Sequence, residues 1–155
     1  MRESHSPYIE IHDSLGTLIA MIARRDYEKP GVNFLSDPRF PLQLGISMYS
    51  KGHSIKPHEH RSRKIEITKV QEIIHVDRGR ANVHLYDHTG KRLQTIEVVT
   101  GDTVFLIDGG HGFEILEDTK FIEVKQGPYL DKQTDKQMIN GTNADSNSST
   151  HYRLS

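Results

Sequence analysis

The stretch Asn82–Ile107, NVHLYDHTGKRLQTIEVVTGDTVFLI, decides the fold class. It holds three short runs, Asn82–Tyr86, Leu93–Val99 and Thr103–Ile107, rich in Val, Ile, Leu and aromatic residues. Between them lie Asp87-His88-Thr89-Gly90 and Thr100-Gly101-Asp102. Gly supplies positive φ and Asp closes Asx-turns, so both separators read as tight turns and the runs as strands.

The same reading extends in both directions. Strands are expected at Tyr8–His12, Leu18–Arg24, Leu42–Tyr49, Ser54–His58, Val70–Val76, Phe113–Leu116 and Phe121–Lys125, with further turns at Asp108-Gly109-Gly110 and Glu117-Asp118-Thr119. Leu15–Arg25 fits either a helix or a strand buried on both faces, and is read as a strand. Three prolines make Pro30–Pro41 an irregular covering segment. Many short strands joined by tight turns make an all-β sandwich or barrel. One domain over residues 1–130 accounts for the apolar patterning. Residues 131–155 read as a polar, flexible tail, since Asn140–Thr150 holds one apolar residue, Ala144. The sequons at Asn140 and Asn147 read as chance matches in that tail.

With 155 residues the chain suits one domain. Its 20 basic and 21 acidic side chains form no basic surface, which argues against nucleic acid as a partner. The N-terminal stretch lacks an apolar h-region and no apolar run nears the ~18 residues of a membrane span, so a cytoplasmic location is expected. Cysteine is absent, so any metal must be held by imidazole and carboxylate.

Four residues fit that requirement. His58 and His60 are two positions apart, which on a strand puts both rings on one face. Glu72 interrupts an otherwise apolar strand, where an acid is costly without a partner. His111 is set among Gly109, Gly110 and Gly112, which let backbone bend closely around a ligand. Together they form an N/O donor set suited to Mn²⁺, Fe²⁺, Ni²⁺, Co²⁺ or Zn²⁺. Each also has an ordinary reading: a solvated His pair, an acid paired with Lys64 or Arg63, a histidine in a glycine turn. His75 and His84 fall outside the set, and His5, His12, His53, His88 and His151 read as surface residues.

At this point the sequence resembles the cupin superfamily. The first cupin motif runs Gly, five residues, His-x-His, a short gap, Glu, six residues, Gly. Gly52, His58, His60, Glu72 and Gly79 reproduce both ends, with eleven residues in the gap where the family usually has three or four. In the second motif Gly101 is present, Ile107 replaces a proline, and His111 arrives one residue early. PLQLG (41–45), GGHGFE (109–114) and EVKQGPY (123–129) are similar to a group of small bacterial cupins often encoded near surface-polysaccharide genes.

The resemblance implies a double-stranded β-helix, or jelly-roll barrel, holding a divalent metal ion, and commonly a homodimer. It also implies a role on a small carbohydrate-type metabolite in polysaccharide biosynthesis. Gln43, Lys64, Glu123 and Lys125 are the candidates for contacting that ligand. Three activities remain open: a metal-dependent isomerase, epimerase or lyase; an Fe(II)-dependent dioxygenase; and a non-catalytic metal- or sugar-binding module. No residue is assigned as catalytic.

Overall fold

A computed structural model describes residues 8–139, which hold ten strands and one short helix. The strands are β1 (Tyr8–His12), β2 (Leu18–Ala23), β3 (Gly31–Phe34), β4 (Gly45–Met48), β5 (Glu72–Arg78), β6 (Arg80–Tyr86), β7 (Arg92–Val99), β8 (Thr103–Leu106), β9 (Gly110–Ile115) and β10 (Lys120–Lys125); the helix is α1 (Lys132–Asp135). All pairings are antiparallel. One sheet has five strands in the order β1-β2-β8-β5-β10, a second has three in the order β7-β6-β9, and β3 and β4 form a two-stranded ribbon.

Alternation along the strands explains the layering. Ala20, Ile22, Ile74, Val76, Val104 and Leu106 leave one face of the five-stranded sheet and meet Ala81, Val83, Leu85 and Val98 from the three-stranded sheet in one buried cluster. Phe113 of β9 and Phe121 of β10 close this layer, their ring centroids 5.1 Å apart. On the opposite face, Met21, Ala23 and Phe105 pack against Leu44, with Phe40, Leu42 and Ile46 alongside. Phe105 is fully buried, and truncating such a residue to Ala costs about 3–5 kcal/mol. No strand of the five-stranded sheet pairs with one of the three-stranded sheet among the described residues, so the layers face each other without closing into a barrel.

The chain crosses between the five- and three-stranded sheets at β5–β6, β7–β8, β8–β9 and β9–β10. The first corner is a single residue. Gly79 has φ +96°, and a Cβ there would lie 2.5 Å from Thr119 Oγ1 and 2.6 Å from the Asp118 carbonyl oxygen. Only glycine meets both conditions. At the β7–β8 corner the buried Asp102 carboxylate accepts from the main-chain N–H groups of Arg25 (3.0 Å) and Val99 (3.1 Å) and from Arg24 Nη1 (2.8 Å).

Two expectations need correction. Ser54–His58 is not a strand: residues 49–71 carry no strand, and every residue from 51 to 70 is exposed. Pro57 removes a ladder donor, and the run lacks the apolar alternation that would bury one face. Pro30–Pro41 does cover the sheet, through Phe40 and Leu35, but it is not wholly irregular. Gly31–Phe34 pairs with β4, and its Asn33 side chain donates to the Lys29 carbonyl. Leu18–Ala23 is a strand, as read. Within the stretch that begins at Asp131, that side chain caps α1 by accepting from the main-chain N–H groups of Gln133 and Thr134. His5, the residues from Asn140 onward, with Asn147 and His151, lie outside the described residues.

Candidate functional site

Glu72 opens β5. Alternation places it on the inner face with Ile74 and Val76, while Ile73 turns outward to the second cluster. His111 lies on β9 as the Cα partner of fully buried Leu85, two residues before inward Phe113. Two residues 39 positions apart thereby meet between the sheets. His111 Nε2 is 3.4 Å from Glu72 Oε2, with the Glu72 side chain 14% exposed and that of His111 36%.

The contact with the His111 imidazole holds the Glu72 carboxyl below its ordinary range, against the opposing effect of burial. The charges of Lys125 and Lys136 act in the same direction. Lys125 is the Cα partner of Glu72 across β10 and β5, and so shares its face. Its Nζ lies 4.9 Å from the centroid of the Tyr129 ring. Glu123, also on that face of β10, is exposed opposite Ile74.

The other two candidate ligands are neighbours of each other. His58 and His60 ring centroids are 5.4 Å apart, edge to face, on the exposed segment before β5. His58 Nδ1 lies 2.9 Å from the Lys56 carbonyl oxygen. A carbonyl only accepts, so Nδ1 is the donor in this contact. The donors are therefore assembled as two pairs. No group of three or more His, Asp or Glu placed to hold one ion occurs among the described residues. By type, however, the donors fit a borderline divalent ion, and the pair on the sheets includes a carboxylate held in its ligating, ionised form.

The remaining candidates are placed as follows. Gln43 donates to the main-chain carbonyls of Asp37 (2.7 Å) and Phe40 (2.9 Å), bracing the covering segment. Lys64 is exposed on the segment that carries His58 and His60. His75 faces Thr103 Oγ1 (3.0 Å) and His84 faces Thr95 Oγ1 (2.9 Å), both outside the inner layer. Burial and the Arg92 guanidinium hold the His84 imidazole below its ordinary value.

Lys136 was not foreseen. Its only sequence signal is a basic residue three positions before Ile139 in a polar stretch. A separate cavity of about 390 Å³ opens beside Phe40, Leu18, Ile107, Glu66, Lys69 and Asp108. Neither Glu72 nor His111 lines it, and its Lys69 is already paired with Asp108. The Glu72–His111 pair thus lies apart from this cavity.

No family model matches the chain, and no curated protein or solved structure matches it. No helix among the described residues is long and apolar enough to cross a membrane.

Proposed function

We propose that this chain is a cupin-type metalloprotein that binds one divalent ion at the end of the facing sheets and acts there on a small carbohydrate-type metabolite. Isomerase, epimerase or lyase chemistry is the favoured activity. The observation that carries the reading is the 3.4 Å contact between Glu72 and His111, which brings together an acid in an apolar strand and a glycine-flanked histidine 39 positions away. Glu72 and His111 are the ligands fixed by the sheets. His58 and His60 are the ligands the 51–70 segment supplies, and that segment makes little packing that would resist repositioning. A bound ion would supply Lewis acidity toward a hydroxyl or carbonyl oxygen. The chain's own part is to hold the Glu72 carboxylate ionised, set Lys125 beside it, and wall the inner layer with Phe113 and Phe121.

The protein is further proposed to be a cytoplasmic homodimer. Among the described residues β1 is the end strand of the five-stranded sheet, a position suited to docking a second copy.

Elemental analysis of the protein purified without added metal tests the reading. Near-stoichiometric metal should be lost in Glu72→Gln, His111→Ala, His58→Ala and His60→Ala, and retained in His53→Ala, His75→Ala and His88→Ala. Metal content equal in both groups sinks the site. Bound iron with oxygen uptake would move the activity to an Fe(II)-dependent dioxygenase. Bound metal with no turnover of any sugar derivative would leave a binding module.

A further inference from the structure

We infer that the ligand taken at the Glu72–His111 end carries an anionic group, a carboxylate or a phosphate, received by Lys125 together with Lys136 of the C-terminal segment. This deepens the reading above and rests on it for the location of the site.

The geometry comes from two directions. Lys125 is fixed by strand register opposite Glu72, and the Tyr129 ring beneath its ammonium restricts where that charge can go. Lys136 is brought back to the same end by a steric seat. Ile139, three residues later, lies against Gly110, the residue before His111. A Cβ at Gly110 would stand 1.9 Å from Ile139 Cδ1, and one at Gly90 would stand 3.2 Å from its Cγ2. The pair of glycines is thus a notch that the isoleucine fills, and it sets the path of the chain carrying Lys136.

The charge balance then decides the ligand. Both ammoniums act on the Glu72 carboxyl, which is already engaged by His111. Neither Lys125 nor Lys136 is within ion-pair distance of a carboxylate among the described residues. The other acid on that face of β10, Glu123, is exposed and one strand repeat away. Two lysines left without ion pairs beside a carboxylate in use favour an incoming anion. Lysine is a compact point charge and serves carboxylate and phosphate alike.

The test is an NMR titration of the ¹⁵N-labelled protein, as purified, with glycerol, glycerate and glycerol 3-phosphate, three probes differing in charge on one small scaffold. At least one anion should bind about tenfold tighter than glycerol, shifting the amides of residues 110–112 and 125. Preference for glycerate identifies a carboxylate ligand, and preference for glycerol 3-phosphate a phosphate. Lys125→Gln and Lys136→Gln should each weaken anion binding severalfold. Ile139→Asn, which removes no charge, should reproduce the Lys136→Gln loss by unseating the segment. Equal affinity for glycerol and both anions overturns the inference, as does anion binding unchanged in Lys136→Gln. A loss in Lys136→Gln without one in Ile139→Asn overturns the role of the notch. Anion preference in a protein that never holds metal supports this inference and overturns the metal reading alone.

Discussion

Replacing Asp102 with Ala should be among the most damaging single substitutions outside the apolar core. Its side chain is 2% exposed and accepts three hydrogen bonds at the corner between β7 and β8. Alanine leaves the main-chain N–H groups of Arg25 and Val99 without acceptors where water has little access. Each orphaned donor costs about 1–2 kcal/mol. Arg24 contributes less, about 0–1 kcal/mol, because it is 29% exposed and keeps its 2.8 Å bond to the Glu97 carbonyl. The total is roughly 2–5 kcal/mol, a large share of the ~5–15 kcal/mol that holds a domain folded. It corresponds to a fall of roughly 5–15 °C in Tm. Urea denaturation monitored by circular dichroism would measure it, as a lower midpoint at unchanged slope. Arg24→Gln should cost distinctly less. A loss below about 1 kcal/mol for Asp102→Ala would mean that the corner relaxes or hydrates, and the hydrogen-bond reasoning would be wrong.

Two further perturbations follow from the same kind of accounting. Burial alone would raise the Asp108 carboxyl, but its bond to the Lys69 ammonium, the Gly109 N–H and the charges of Lys69 and His88 outweigh it, leaving the group below the ordinary carboxylate range. Its contribution to stability is complete above about pH 4 and is lost as pH falls through the depressed value. Urea midpoints taken from pH 6 to pH 2 should drop more steeply in the wild type than in Asp108→Asn, and parallel curves would refute the assignment. Gly79→Ala should cost about 2–4 kcal/mol. Gly16→Ala, at φ +81° with nothing within 4 Å, should cost nearer 1 kcal/mol. Equal losses would show that backbone strain, not the approach of Asp118 and Thr119, sets the penalty at Gly79.

The strands were legible where one face is apolar and turn residues bound the run. Tyr8–His12 and Phe121–Lys125 are examples, as is Asn82–Tyr86, which the structure begins two residues earlier. Ser54–His58 misled because its end, with His60 two positions on, resembles a strand face even though no neighbouring strand completes a ladder there. β3 escaped because its partner, β4, lies across a ten-residue proline-containing connection, and pairing at that distance leaves no local trace. At the site, Glu72 and His111 could be picked out because a buried acid and a glycine-flanked histidine are costly choices without a purpose. Lys136 could not, since its position depends on Ile139 meeting Gly110, a tertiary fit between segments 29 residues apart. Asp102 was read as a local turn residue, whereas its carboxylate also reaches Arg24, 78 positions away.

The order β1-β2-β8-β5-β10 also governs how the molecule can be made. Ile22 of β2 is the partner of Val104 on β8, so the centre of the larger sheet joins segments roughly eighty residues apart, a separation that takes on the order of 4–16 s to synthesise. Until β8 emerges, β2 and β5 lack the strand that joins them, and their apolar faces stay open to chaperones or to other nascent chains. Such non-local pairing places folding on the slow, millisecond-to-second side of the range for small domains. The β6–β7 hairpin, whose strands are joined by Asp87–Lys91, needs no such wait, and neither does the β1–β2 hairpin. Expression yield should therefore respond more to substitutions that slow the docking of β8 than to changes of equal equilibrium cost in the β6–β7 hairpin.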